Sequence, residues 1–229
     1  MQAVILAGGL GTRLGALAQG LPKPMVDVGG KPFLEHMIRM LARQGIRDIV
    51  LLTGHHAEVI ERHFGDGTAF SAQIRYSREP QPLGTGGAVR LARDLLAPQF
   101  LLLFGDVLRR MDYAAFCARH AGHCLAVYPY DTAGMTTIAC GNVGLDARGR
   151  VATYRKGDVA AALPYVDAGF GVFGAAAVAL LPPGPCSFEA EVYDRLARQG
   201  SLEAEVLDRD FFDIGNPADL ARARAASWD

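Results

Sequence analysis

Gly8, Gly9 and Gly11, with Thr12 and Arg13 directly behind them and Lys23 further along, are residues that can hold phosphate. They lie in Leu6-Ala7-Gly8-Gly9-Leu10-Gly11-Thr12-Arg13-Leu14 and in Leu21-Pro22-Lys23-Pro24-Met25, straight after the apolar run Ala3 to Ala7. Glycines present no side chain to a ligand and admit positive φ, so consecutive amides can turn inward around phosphate oxygens. Arg13 adds a planar, permanently charged fork. A buried strand that hands its carboxyl end to such a loop places it where open α/β sheets bind ligands.

Two common phosphate loops do not fit. A P-loop ends in Gly-Lys-Ser/Thr, whereas Arg13 and Leu14 stand in those places. A dinucleotide fingerprint runs into a helix, and Pro22 and Pro24 break any helix that would follow. A second glycine-rich stretch, Glu79-Pro80-Gln81-Pro82-Leu83-Gly84-Thr85-Gly86-Gly87, precedes a helix expected over Ala88 to Leu96, which Thr85 could simply cap. Gly105-Asp106 follows the apolar run Phe100 to Phe104, and Asp213 stands between Phe212 and Ile214-Gly215. Either aspartate alone could equally be a turn or capping residue. His55, His56 and His63 have no carboxylate or cysteine at ligand spacing, although His55 could line a cleft at a strand end. Arg90, Arg93, Arg109, Arg110, Arg222 and Arg224 read as solvated charges, since no aromatic platform accompanies them.

These residues sit in 229 positions that are 50% hydrophobic with a net charge of −1, enough for one large domain with a substantial core. No whole-molecule field draws nucleic acid or an anionic membrane, so any anion site is built locally. No signal peptide or membrane-length apolar run is seen, which predicts a cytoplasmic location. Cys117, Cys124, Cys140 and Cys186 lack Cys-x-x-Cys spacing and read as reduced, buried thiols rather than disulfides or metal ligands.

The elements that must position the candidates alternate. After the first strand, a helix opens at Gly30-Lys31-Pro32-Phe33 with proline in its first turn, and Phe33, Leu34, Met37, Ile38 and Leu41 mark its buried face. Ile46 to Thr53 reads as a strand, Ala57 to Phe64 as a helix, Ile74 to Ser77 and Phe100 to Phe104 as strands. The later chain reads differently: a helix over Tyr113 to His120, then strands over Cys124 to Tyr130, Ile138 to Leu145, Val151 to Tyr154 and Tyr165 to Phe173. Helices over Ala175 to Leu181 and Phe188 to Arg198 follow, and a closing helix is capped by Asn216 with Pro217 at its first position. With no linker or repeat, this predicts an α/β fold, a single compact domain over 1–229. It has a doubly wound, mixed but mostly parallel sheet flanked by helices, a nucleotide-binding half over about 1–110 and a substrate-binding half over about 111–229.

The combined pattern G-G-x-G-T-R-L followed by P-K-P-M resembles the signature of the sugar-1-phosphate nucleotidyltransferases, and the likeness extends through Glu79 to Gly87, Gly105-Asp106, Val166 to Phe173 and Phe212 to Gly215. Within that family it is similar to the branch that moves GMP from GTP to a manno-configured heptose 1-phosphate. The resemblance implies the family's Rossmann-like fold, a sugar-phosphate-binding half over about 111–229, and Mg2+ held by Asp106 and Asp213. It implies nucleotide contacts from Leu6, Ala7, Gly8, Gly9, Gly11, Thr12, Arg13, Lys23, Glu79, Leu83, Gly84, Thr85 and Gly86. Arg13, Lys23 and Lys156 would act on the reacting phosphates, and Gly105, Arg155, Lys156, Asp167 and Gly169 on the sugar phosphate. Asp167-Ala168-Gly169 stands where relatives carry Asn-x-Gly, and Tyr154-Arg155-Lys156 where many carry Glu-Lys, so the sugar side departs from the pattern.

The implied reaction needs charge neutralisation more than a nucleophile, because the attacking sugar phosphate is already anionic. Its partners are GTP or another NTP and a sugar 1-phosphate, with no nucleic acid and no membrane, and the resemblance leaves room for a homodimer. A mannose 1-phosphate guanylyltransferase, a glucose 1-phosphate thymidylyl- or uridylyltransferase, and a silent nucleotide-sugar-binding regulatory subunit stand as alternatives.

Overall fold

The structure, a computed structural model, describes residues 1–9, 21–130, 141–156, 163–208 and 211–228. Its first half alternates. β1 (Gln2–Leu6) is followed by a 3-10 turn over Lys23–Met25, the short strands β2 (Asp27–Val28) and β3 (Lys31–Pro32), and α1 (Phe33–Arg43). Then come β4 (Asp48–Thr53), α2 (Ala57–Phe64), β5 (Gln73–Arg78), α3 (Gly84–Leu91), β6 (Gln99–Phe104) and β7 (Val107–Leu108). The second half runs α4 (Tyr113–Arg119), β8 (His123–Pro129), β9 (Val143–Leu145), β10 (Val151–Tyr154), β11 (Tyr165–Gly174) and α5 (Ala175–Ala179). It closes with a π-helical turn over Glu189–Tyr193, α6 (Asp194–Arg198), β12 (Leu202–Val206), β13 (Phe212–Asp213) and α7 (Pro217–Ala225).

Nine strands make one mixed, mostly parallel sheet. The path is β10-β9-β11-β6-β1-β4-β5, with β8 and then β12 branching from β11. β1, β4, β5, β6, β8, β9 and β12 point one way, while β10 and β11 oppose them. Side chains alternate between two cores, as a two-residue period requires. Ala3, Ile5, Ile49, Leu51, Leu101 and Leu103 face the layer of α1, α2, α4 and α7. Val4, Val50, Leu52, Phe100 and Leu102 face the layer of α3, α5 and α6. Buried on both faces, these strands read as unbroken apolar runs. Each such aliphatic side chain contributes about 1.5–3 kcal/mol on burial. The result is a single domain with helices on both sides.

The structure departs from the sequence reading in four places. The helix expected from Ala88 begins at Gly84, so the second glycine-rich stretch forms its first turn, and it ends at Leu91 before a 3-10 turn over Arg93–Leu95. Pro32 is the N-cap residue of α1 rather than a member of its first turn. β12 was not expected: Leu-Glu-Ala-Glu-Val carries two acids, yet it adds a parallel strand beside β8. Arg109 is buried, 4% exposed, not solvated. Of the strand expected over Ile138 to Leu145, the first three residues lie outside the described ones, and Val143–Leu145 is strand. Cys117 and Cys124 are buried and Cys186 is half-buried, while Cys140 lies outside the described residues. Among the described residues, no helix is long and apolar enough to cross a membrane.

Candidate active site

The carboxyl ends of four neighbouring parallel strands meet at one edge of the sheet. The backbone locks them together there: the Ala7 amide donates to the Leu52 carbonyl at 2.8 Å, the Gly105 amide to the Leu6 carbonyl at 2.9 Å, and the Glu79 amide to the Thr53 carbonyl at 2.9 Å. A cleft of about 310 Å³ opens on this edge, and Leu6, Gly8, Gly9, Lys23, Glu79, Gly84, Thr85 and Asp106 all line it, with Leu52, Pro82, Ala88 and Phe104. Eight of the candidate residues, from four separate stretches of sequence, thus share one cavity. Gly11, Thr12 and Arg13 lie outside the described residues.

Close packing gives a second reason for glycine at positions 8 and 54. A Cβ on Gly8 would stand 2.9 Å from Glu79 Oε1, and one on Gly54 would stand 2.6 Å from the same oxygen. The Glu79 carboxylate therefore rests on two bare backbones. Burial raises its pKa, and the Leu83 amide, which donates to Oε2 at 2.9 Å, works the other way. A second hollow lies beyond Glu79, lined by Gly54, His55, His56 and Arg78 among others.

Gly84, Gly86 and Gly87 are positioned by a different neighbour. Gly84 has φ +71°, and its Cβ would stand 2.5 Å from the Cys186 carbonyl oxygen. The Gly86 amide donates to that same carbonyl at 2.9 Å, and the Leu83 carbonyl accepts from the Cys186 amide at 2.9 Å. Gly86 and Gly87 are buried. The backbone of this turn is thus largely committed to the 184–188 segment, leaving Gly84 and Thr85 to face the cleft.

Lys23 and Asp106 make the charged corner of the cleft. The ammonium of Lys23, only 7% exposed, sits 2.5 Å from Asp106 Oδ2. Its position is fixed by the 3-10 turn between Pro22 and Pro24, whose Met25 amide donates to the Pro22 carbonyl. Asp106 stands between β6 and β7, and β7 pairs antiparallel with β13, setting Asp213 opposite Val107. The Ile214 amide also donates to the Asp106 carbonyl at 3.0 Å. Burial and then the Asp106 charge push the Asp213 carboxyl up to about 6, against the pull of Lys23 and of the Gly215 amide. Two carboxylates held at one strand corner, the first already partnered by a cation, suit a hard divalent ion in donor chemistry. Trp228 closes the outer side of this corner, its ring 4.8 Å from Phe212 and 4.4 Å from His36.

The remaining candidates sit on the second half's side. β11 shifts register against β8 between Asp167 and Gly171, and Gly169 takes φ +78° in that bulge, 3.4 Å by its Cβ position from Phe104 and Val107. Asp167 Oδ1 accepts from the Gly169 amide at 2.9 Å and Oδ2 from the Tyr154 hydroxyl at 3.3 Å. Lys156 does not line the 310 Å³ cleft; its ammonium donates to Glu189 Oε1 and to Ser187 Oγ, both at 3.0 Å. Arg155 is exposed, and Gly105 and Ala7 are buried backbone supports.

Glu189 is the residue that sequence reasoning missed. Nearly buried, it accepts from Thr85 Oγ1 at 2.5 Å, from Ser187 Oγ at 2.7 Å and from Lys156, joining the cleft-lining turn to the second half. Burial opposes its charge, but Lys156 and the two hydroxyls outweigh that and its pKa is lowered. It lies in no motif. The one hint was an acid at helical spacing from Val192, Tyr193 and Leu196, on a face that is otherwise apolar.

The chain is 33% identical over 98% of its length to the mannose-1-phosphate guanylyltransferase of Mycobacterium tuberculosis, of which it covers 64%. It is 39% identical over 56% of its length to the D-glycero-alpha-D-manno-heptose 1-phosphate guanylyltransferase of Campylobacter jejuni, of which the match covers 57%. The chain therefore spans less than two thirds of each of these curated relatives. The crystal structure of HddC from Yersinia pseudotuberculosis complexed with GMP-PN superposes with a TM-score of 0.81 at 29% identity, covering 97% of both chains. The nucleotidyl transferase family model matches residues 2–228, and the chain belongs to that family.

Proposed function

We propose that the chain transfers GMP from GTP to D-glycero-α-D-manno-heptose 1-phosphate, releasing pyrophosphate and giving a GDP-heptose for capsule or other surface polysaccharide. The observation that carries this reading is the Lys23–Asp106 pair at the charged corner of a glycine-floored cleft on the carboxyl edge of the sheet. The named relatives supply the guanylyl group and the two candidate acceptors. The reading includes a cytoplasmic location for the reaction.

In the reaction an oxygen of the sugar phosphate forms a bond to the α-phosphorus of GTP, and the bond from that phosphorus to the bridging oxygen breaks, so pyrophosphate leaves with the electron pair. Two polyanions must be brought together, so the protein's task is alignment and neutralisation. The Gly8 and Gly9 backbone floors the triphosphate site, and the resemblance assigns Arg13 to the reacting phosphates. Lys23 exchanges Asp106 for a phosphate oxygen when substrate enters, keeping a preorganised donor at the reacting centre. Asp106 and Asp213 would hold a divalent cation, Mg2+ by resemblance, which when bound would supply further positive charge to the phosphates. Glu79, Gly84 and Thr85 bound the base. Asp167 accepts from sugar hydroxyls, and Lys156, released from Glu189, takes the sugar phosphate. The chain thus divides into a nucleotide half and a sugar half.

A mannose 1-phosphate guanylyltransferase is the second reading, favoured by the relative aligned over nearly the whole chain. A silent regulatory subunit has no need of a lysine and two carboxylates at one corner. Pyrophosphate release with Mg2+, measured for GTP, ATP, dTTP, CTP and UTP against heptose, mannose and glucose 1-phosphates, tests all of these. GTP should exceed ATP by at least about tenfold, because adenine leaves a buried polar partner unpaired at about 1–3 kcal/mol. Preference for dTTP with glucose 1-phosphate overturns the specificity, and no release with any pair overturns the enzyme reading.

A further inference from the structure

The edge of the sheet opposite the cleft carries a second concentration of chemistry. Cys124 lies level with Val172 and, through it, with Leu101, at the amino end of β6. β12 runs parallel to β8 with Glu203 in register with Cys124 and Glu205 with Ala126, so both acids project to the face that Cys124 and Ala126 share. α4 covers that face and ends at His120, directly over them. His120 Nδ1 is 3.1 Å from Glu203 Oε2, and Nε2 is 2.7 Å from Glu205 Oε2. Arg119 clasps Glu205 with Nε at 3.2 Å and an Nη at 2.6 Å. Cys124 Sγ, fully buried beneath, lies 3.9 Å from the Leu125 carbonyl and also meets the backbone of Glu205.

We infer that His120 Nδ1, Cys124 Sγ and a Glu203 oxygen form a binding site for a thiophilic divalent metal such as Zn2+, with Glu205 as the outer partner that orients the imidazole. The three donor atoms lie within 4.8 Å of one another. A tetrahedral ion with zinc's bond lengths needs its donors roughly 3.3–3.8 Å apart. The histidine and glutamate atoms already stand at about that separation, 3.1 Å, and the sulfur, within 4.8 Å of both, has at most roughly 1 Å to close. One thiolate and one carboxylate balance the charge of the ion, and Arg119 balances Glu205. Donation of Nε2–H to Glu205 fixes the tautomer that leaves Nδ1 free for metal, the outer-shell arrangement that ligating histidines ordinarily have. Glu203 is half exposed, so water reaches the fourth position. Binding forms the metal–sulfur bond and breaks the S–H bond, the proton leaving to solvent.

The site differs in kind from the Asp106 and Asp213 corner, which offers oxygen alone. It would tie the end of α4 to β8 and to the edge strand β12, holding the second half's outer strand by a bond that neither helix packing nor the ladder supplies. Spacing in the sequence conceals it, because His120 and Cys124 are four positions apart but Cys124 and Glu203 are 79 apart.

Titration of the chelator-stripped chain with Co2+, in excess Mg2+ to occupy oxygen-only sites, tests this. The expected result is a thiolate-to-cobalt charge-transfer band that saturates at one equivalent and is bleached by Zn2+. It should survive Cys117→Ser, vanish in Cys124→Ser, and need about 10- to 100-fold more metal in Glu205→Gln. Should Cys124→Ser fail to fold, Glu203→Gln, altered on the solvent side, serves: zinc should raise the unfolding temperature of the parent chain and not of this variant. Absence of the band in the parent chain, its survival in Cys124→Ser, or an equal zinc effect in both chains overturns the proposal.

Discussion

Lys23 and Asp106 touch at 2.5 Å although 83 positions separate them in the chain. A proline-flanked turn holds the lysine and a strand end holds the aspartate, so each element is short and stiff where the pair meets. An ammonium so placed can pass from a carboxylate to a phosphate without rebuilding its surroundings.

Lys23→Ala should therefore lower turnover about 10²-fold or more, as losing one preorganised donor does elsewhere. Steady-state pyrophosphate release gives the number, and an unchanged unfolding midpoint separates it from misfolding. Near-normal turnover would remove Lys23 from the reacting centre.

Asp106→Asn and Asp213→Asn each keep shape while removing charge. Both should raise the Mg2+ concentration needed for half-maximal activity, and the double variant should lose far less than the product of the single losses if the two carboxylates hold one ion. Multiplicative losses would assign them separate tasks.

Gly84 and Gly149 allow conformation and contact to be separated. Both have positive φ, +71° and +76°, but a Cβ at Gly149 meets nothing while one at Gly84 meets the Cys186 carbonyl oxygen at 2.5 Å. Each alanine variant should lose about 1–2 kcal/mol for its left-handed backbone, and Gly84→Ala should lose more than that in urea unfolding. Equal losses would show that the 184–188 segment yields readily.

Asp167 should make stability fall as pH rises. Burial first, and the Glu189 charge in addition, push its carboxyl up to about 7, against the Gly169 amide, Tyr154 and Lys156. The unfolded chain releases that proton near pH ~3.9. Between those values the folded state binds more protons, so stability is highest below the window and declines through it. Asp167→Asn keeps both hydrogen bonds within reach and should raise the unfolding midpoint at about pH 8 but not at about pH 4. A gain of the same size at both would assign the effect to packing.

The cleft was legible where local sequence dictates it. An apolar run ending in Gly-Asp had to deliver Asp106 to a strand end, and two glycines after β1 had to leave open backbone. Relations made by the tertiary fold were not legible. Glu189 reaches Thr85 across 104 positions, and no spacing rule connects them. The start of α3 was misread because glycine disfavours helix. Here the approach of the Cys186 carbonyl excludes a side chain at Gly84, and packing on 184–188 outweighs propensity. β12 escaped because its two glutamates look like a solvated turn until β8 is seen beside it.

Trp228 is the chain's one tryptophan. Its ring stands 4.8 Å from Phe212, the residue before Asp213, and the Arg110 guanidinium lies 5.1 Å from it. Indole emission shifts in colour and intensity with nearby charge and with access to solvent. A single fluorophore packed against the β7–β13 corner gives the molecule a built-in optical gauge. Any event that moves that corner should change the emission with no label attached and no second tryptophan to confuse the signal.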